Sequence, residues 1–224
     1  MIAVLMPITS AVDDTSAPPE LPGLSAASVW MTSSMVRPLT ERIERPSADT
    51  TPADTVAYYA ALAGAFRRRI PGQLADELGV VVIAPTYGLG TWQQQDTARV
   101  ITAALNDAAK AVSLDRSQVH LMGLSNGGEG VCQAAAELGS QLRSLSLLSP
   151  VFDLRREVAA RVVSQWKGRP VLVVTGALDD RVPHDYVTSA VETLQRGGIN
   201  VAFKTIEDAD HFMLFSHRKA VTRL

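Results

Sequence analysis

The chain has 224 residues, 46% hydrophobic and 20% charged, with a formal net charge of −2 and a pI near 6.1. That length buries one large core and is short for two, so a single domain over residues 1–224 is expected. Basic residues are scattered apart from Arg67, Arg68 and Arg69, which leaves no electrostatic footprint for nucleic acid. The single cysteine, Cys132, excludes an internal disulfide framework and an all-cysteine metal site.

The first apolar run, IAVLMPI (2–8), has no basic flank, is interrupted by Pro7, and is far too short to cross a bilayer. It reads as a buried strand. No later stretch has the length and apolarity of a membrane helix, so no membrane span is expected and a cytoplasmic location is the default. Residues 9–50, and the chain on to about Asp54, are rich in Ser, Thr, Ala and Pro. An irregular connection of that length inside a compact domain is functional or disordered as a rule. Within it, SAASVWMTSSMV (25–36) carries Trp30, Met31, Met35 and Val36, and reads either as a short packed element covering the core or as a flap over a substrate site.

From Thr51 onward, strand and helix patterns alternate. A helix over TPADTVAYYAALAGAFRRR (51–69), starting at Thr51 and Pro52, precedes the strand GVVVIAP (79–85); a helix from Asp96 precedes the strand QVHLMG (118–123). Then come the helix GEGVCQAAAELG (128–139), the strand SLSLLS (144–149), the helix LRREVAARVVSQW (154–166) and the strand PVLVVTG (170–176). Last are the helix HDYVTSAVETLQRGG (184–198), stopping at Gly197 and Gly198, and the strand NVAFKTI (200–206). The near-continuous apolar strands fit a sheet covered on both faces, and the alternation gives an α/β, mostly parallel, doubly wound sheet of about six strands.

Gly123, Leu124, Ser125, Asn126 and Gly127 form G-x-S-x-G between a strand and a helix, the context in which a nucleophilic serine is presented on a strained turn. No Gly-Lys-Ser/Thr follows the glycines and no G-x-G-x-x-G opens the first helix, so neither a phosphate loop nor a dinucleotide site is expected. Asp179 and Asp180 fall in the loop after one later strand, and His211 in the loop after the next, at the strand ends where functional groups of open α/β sheets collect. The other histidines have duller readings: His120 lies inside a strand, His184 at a helix start and His217 in the terminal segment. None has metal-ligand spacing, so no metal and no cofactor is expected.

Ser, then Asp, then His, each beyond a separate strand, is the chain order of the α/β-hydrolases, which the sequence resembles from about Thr51 to its end. GLSNGG, TGALDDRVP and DADHF carry the resemblance, and it is strongest to small lid-less esterases, dienelactone-hydrolase-like enzymes and peptidase-like serine hydrolases. The resemblance implies an α/β-hydrolase fold and, through the family pattern G-x-x-D-x-x-V-P on Gly176, Asp179, Val182 and Pro183, makes Asp179 rather than Asp180 the acid. It implies Ser125 as nucleophile, His211 as base and the Asn126 N–H as one oxyanion donor. The family's His-Gly motif for the second donor is absent; if IAVLMPI is the strand that precedes it, the N–H of Ile8 takes that place. Only one helix fits between Ser149 and Pro170, where large caps are inserted in this superfamily, so no large cap is expected. The expected activity is cleavage of a small acyl ester through an acyl-enzyme, with thioesters and peptides as variants of the same chemistry. The alternative is a hydrolase-fold binding module without catalysis.

Overall fold

A computed structural model of the chain describes residues 2–7, 27–30, 80–85, 92–94, 96–110, 113–153 and 155–221. Seven strands form one sheet: β1 (Ile2–Pro7), β2 (Ala27–Trp30), β3 (Val80–Pro85), β4 (His120–Leu124), β5 (Ser144–Leu148), β6 (Pro170–Gly176) and β7 (Asn200–Ile206), in the order β2-β3-β1-β4-β5-β6-β7. Six of them are the apolar runs named above. The seventh, β2, comes from the Ser/Thr/Pro-rich segment and pairs antiparallel with β3 at the sheet's outer edge. The rest of residues 9–50 and the helix expected over 51–69 lie outside the described residues.

β4, β5, β6 and β7 pair parallel in sequence order. β1 runs antiparallel to both its neighbours, with Val4 opposite Ile83 on β3 and Leu121 on β4. β3 therefore points the same way as β4, and the sheet is mostly parallel, with β1 and β2 reversed. The apolar pattern of β1 does not distinguish these directions, because it records burial on two faces rather than polarity. Val4 and Met6 pack into the larger core and Leu5 against the smaller one.

The same alternation sorts the other strands. Val81, Ile83, Leu121, Leu145, Leu147, Val171 and Val173 face the larger core; Val82, Met122, Leu124, Leu148 and Val174 face the smaller, as a period of two requires. The larger core is closed by four helices, α1 (Thr97–Ala108), α2 (Gly127–Leu138), α3 (Arg156–Trp166) and α4 (His184–Arg196). The smaller is closed by Ala209, Met213, Leu214 and Val221, where the chain forms two single turns, α5 (Met213–Ser216) and α6 (Arg218–Val221).

The helices start and stop where local chemistry dictates. The Asp96 carboxylate accepts the Arg99 N–H at 3.0 Å and caps α1. α4 follows Pro183, carries Asp185 in its first turn and Arg196 in its last, each placed favourably against the helix dipole, and buries Val187, Ala190, Val191 and Leu194 at helical spacing. It ends at Gly197 and Gly198, the latter with φ +89°, a conformation that glycine adopts without a Cβ penalty. Between β5 and β6 the described chain holds α3 alone, so no large cap is inserted there. No helix among the described residues is long and apolar enough to cross a membrane.

Trp166 closes α3. Its side chain is fully buried, its indole N–H donates to the Ala135 carbonyl at 3.0 Å, and the Arg169 guanidinium lies 4.1 Å above its ring. Trp166→Ala should lower the unfolding free energy by about 3–5 kcal/mol, the cost of emptying a large aromatic site, seen as a lower urea midpoint at unchanged secondary structure. A loss below about 1 kcal/mol would mean that the site collapses and refills.

Candidate active site

Ser125 sits at the end of β4 with φ +55°, in the left-handed region that costs an L-residue about 1–2 kcal/mol. Its flanking glycines follow from sterics. A Cβ on Gly123 would stand 2.7 Å from the Gly127 carbonyl oxygen, and one on Gly128 would stand 2.5 Å from the Val151 carbonyl oxygen. Strand, serine and helix can meet this closely only without those side chains.

A stair of backbone hydrogen bonds then crosses the same edge of the sheet. The Ser125 N–H donates to Leu148 at 3.0 Å, the Ser149 N–H to Val174 at 2.8 Å, and the Ala177 N–H to Ile206 at 3.0 Å. Each strand's first loop residue is thus tied to the end of the next strand, and the loops after β4, β5, β6 and β7 are held in step. The last two loops are also packed directly together: Leu178 N–H donates to the Ala209 carbonyl at 3.0 Å, and a Cβ on Gly176 would lie 2.2 Å from that same oxygen.

These loops bring Ser125, Asp179 and His211 together. His211 Nε2 is 3.0 Å from Ser125 Oγ, and His211 Nδ1 is 2.8 Å from Asp179 Oδ2 and 3.0 Å from Oδ1. Asp179 is 6% exposed and His211 8%, so both act out of bulk water. Asp179 Oδ1 also accepts the N–H groups of Val182 at 2.8 Å and Arg181 at 3.0 Å. Burial pushes the Asp179 carboxyl up, but the Val182 N–H, the Ser149 hydroxyl, His211 and the Arg181 N–H together outweigh it and hold the group below the ordinary carboxylate value. An ionised carboxylate only accepts, so Nδ1–H of His211 donates to Asp179, and the Nε2 lone pair faces the Ser125 hydroxyl.

The surroundings separate neighbours that the sequence leaves side by side. Asp180 is exposed. His120 bonds Ser144 Oγ at 2.7 Å near the far end of β4, His184 bonds Thr205 Oγ1 at 3.0 Å at the start of α4, and His217 pairs with Asp208 at 3.3 Å. Asn126 follows Ser125 at the head of α2, and among the described residues nothing accepts its backbone N–H. Ile8 lies outside the described residues. β1, which leads to it, ends at Pro7, opposite Val80 and beyond the Leu5–His120 pair, and the Pro7 carbonyl faces the Asp115 N–H at 3.5 Å. Because β1 is antiparallel to β4, that end lies away from Ser125.

Four contributors, Glu129, Trp92, Phe212 and Arg181, have no counterpart among the residues singled out from the sequence. Glu129, 7% exposed, accepts from the Asn126 side-chain amide at 2.5 Å, and the Trp92 N–H reaches Asn126 Oδ1 at 3.4 Å. Phe212 sets its edge against the His211 ring at a centroid distance of 5.7 Å, with the Arg181 guanidinium 4.9 Å above its face. The N-x-x-E spacing of Asn126 and Glu129 was the available signal, since it has the form of a helix capping box. The contacts of Trp92 and of Arg181 with Phe212 depend on chain crossings that no local pattern announces.

The prolyl oligopeptidase family matches residues 158–224, the stretch that carries Asp179 and His211. No curated protein matches the chain. Among solved structures, the esterase Est1E from Butyrivibrio proteoclasticus is 22% identical with a TM-score of 0.49, over 69% of this chain and 78% of that one. The esterase PE8 is 21% identical with a TM-score of 0.45, over 56% of this chain and 57% of that one. Dipeptidyl peptidase 4 of Porphyromonas gingivalis is 17% identical with a TM-score of 0.43, over 57% of this chain and 22% of that one. The matched region thus spans a little over half of PE8 and about a fifth of the peptidase. The mostly parallel sheet with flanking helices is the α/β fold class expected from the sequence.

A carboxyl held low in the folded state adds stability that is fully present above its unfolded pKa, about 3.9, and is lost as pH falls through the folded value. The stability difference between wild type and Asp179→Asn should therefore be largest near neutral pH and shrink toward pH 3, in urea titrations at each pH. A difference that stays constant would show that the carboxyl is not held low.

Proposed function

We propose that the chain is a serine hydrolase that cleaves small acyl esters through an acyl-enzyme intermediate. The observation that carries this reading is the unbroken relay from Ser125 Oγ to His211 to Asp179, with spacings of 3.0 Å and 2.8 Å. A serine hydroxyl is a weak nucleophile near neutral pH and needs a base within hydrogen-bond reach. His211 Nε2 is that base: it takes the hydroxyl proton as Oγ attacks the acyl carbon, and returns it to the departing alkoxide. Water then repeats the cycle on the acyl-enzyme. Asp179 keeps the ring in the tautomer that presents Nε2 and stabilises the imidazolium that forms. The Asn126 N–H serves the developing oxyanion.

The apolar surface beside the relay supports an acyl substrate. Leu178, 64% exposed, precedes the acid in its loop, and Phe212, 45% exposed, sets its ring against that of the base. The β5–β6 connection holds a single helix and inserts no cap beside the relay, and nothing in this chemistry calls for a metal or an organic cofactor.

Ser125→Ala should abolish p-nitrophenyl ester hydrolysis and covalent labelling by a fluorophosphonate while the fold persists. Activity within about twofold of wild type, under ~1 kcal/mol of barrier, would reject Ser125 as nucleophile. A folded wild-type chain that never labels would favour the binding-module alternative.

The two adjacent aspartates give a sharper contrast. Asp179→Asn should cost roughly 10⁴ in kcat, as loss of the orienting carboxylate does in such relays, whereas Asp180→Asn should be mild. Reversed effects would reassign the acid.

A further inference from the structure

We propose that the Asn126 side chain holds the Glu129 carboxylate away from the Asn126 backbone N–H, and so keeps that N–H open to the developing oxyanion; the inference rests on the acyl-transfer reading above. Glu129 stands three residues after Asn126 in the first turn of α2. Side chains on a helix lean toward its N-terminus. At this spacing a glutamate ordinarily reaches back and accepts the backbone N–H of the residue three before it, closing a capping box. Such a box would stabilise the helix and disable the site, because the donor would be occupied and a carboxylate would stand where negative charge has to build.

The structure shows another arrangement. Glu129 Oε2 accepts from Asn126 Nδ2 at 2.5 Å, and Asn126 Oδ1 faces the Trp92 N–H at 3.4 Å. With its oxygen toward an N–H and its nitrogen toward a carboxylate, the amide has one orientation that suits both partners. The side-chain amide thus stands in for the backbone N–H as the donor to Glu129. The Asn126 N–H is left without an acceptor among the described residues.

Glu129 needs that donor. It is buried, and an ionised carboxylate out of water is costly unless it is hydrogen-bonded. Burial pushes its carboxyl up, the Asn126 amide pulls it down, and of the charges facing it Asp153 raises it and Arg155 lowers it. Cys132 and Tyr186 lie within its electrostatic reach as well. Without the Asn126 amide, the donor that capping-box geometry offers is the backbone N–H of residue 126. Asn126 is then a positioning residue through its side chain, apart from the contribution of its main chain.

Two measurements on the full chain test this. In p-nitrophenyl acetate hydrolysis, Asn126→Ala should lower kcat about 100-fold or more, the usual cost of one oxyanion donor, with little change in KM. Glu129→Ala alone should cost less, and combining it with Asn126→Ala should restore kcat to within about tenfold of wild type, since the competing carboxylate is gone. A double variant no faster than Asn126→Ala overturns the inference. The second measurement needs no turnover: in an NMR pH titration, the residue-126 amide proton should follow the ionisation of Glu129 strongly in Asn126→Ala, weakly in wild type, and not at all once Glu129→Gln is added. An amide indifferent to Glu129 in Asn126→Ala overturns the inference even if the wild-type chain hydrolyses nothing, an outcome that would itself count against the acyl-transfer reading.

Discussion

The stair of backbone hydrogen bonds at the carboxyl ends of β4 to β7 is the constraint on which the rest of the site depends. Ser125 donates to Leu148, Ser149 to Val174 and Ala177 to Ile206, so each loop leaves the sheet in a position set by the strand beside it. Both serines in the stair have positive φ, +55° and +40°. Such strain persists only where the surroundings over-determine it. For Ser125 the surroundings are three main-chain bonds: its N–H to Leu148 at 3.0 Å, and its carbonyl receiving Gly128 at 2.9 Å and Val151 at 3.0 Å. The side-chain relay is therefore an outcome of main-chain pairing between parallel strands, and its few ångströms are fixed by the register of the sheet.

What the sequence discloses follows from this. Residues whose role is enforced by local sterics or local hydrogen bonds leave a local trace. Gly123 and Gly128 mark the turn because no Cβ fits there. The G-x-x-D-x-x-V-P pattern selects Asp179 over Asp180 for physical reasons: Gly176 meets the Ala209 carbonyl, Asp179 accepts the Val182 N–H, Val182 is buried, and Pro183 leads into α4. The direction of β1 leaves no such trace, because its side chains satisfy both cores whichever way it runs. Its reversal puts the carboxyl end of β1, at Pro7, at the edge of the sheet away from Ser125. The stretch 25–36 reads as a short packed element, but the four residues of β2 within it are too few to show a period that separates strand from helix.

Behind the turn, a polar chain ties together elements that the apolar core alone would leave free to slide. Thr97 Oγ1 donates to Gln133 Oε1 at 2.9 Å, Gln133 Nε2 donates to Asp153 Oδ2 at 3.2 Å, and the Arg155 guanidinium closes on the same carboxylate at 2.5 Å. α1, α2 and the loop after β5 are thereby joined through side chains that are buried except for Arg155. Burying Asp153 is unfavourable by itself, and burial alone would push its carboxyl up. Arg155, Gln133 and the Arg155 N–H more than compensate and hold it low. A satisfied network of this kind adds little net stability but penalises any shift of one member.

Cys132 lies on the same helix, seven residues after Ser125, and is 6% exposed. Burial, with the Asp153 and Glu129 charges adding to it against a hydrogen bond at Asp153, pushes its thiol up to about 12. A thiol attacks electrophiles only as the thiolate, so in the native protein this group is both covered and almost entirely in its unreactive form. It is also the only sulfhydryl in the chain. Its alkylation therefore tracks the opening of α2 away from the sheet rather than any chemistry at the serine, and the rate of that alkylation is a clock for local unfolding read from a single atom.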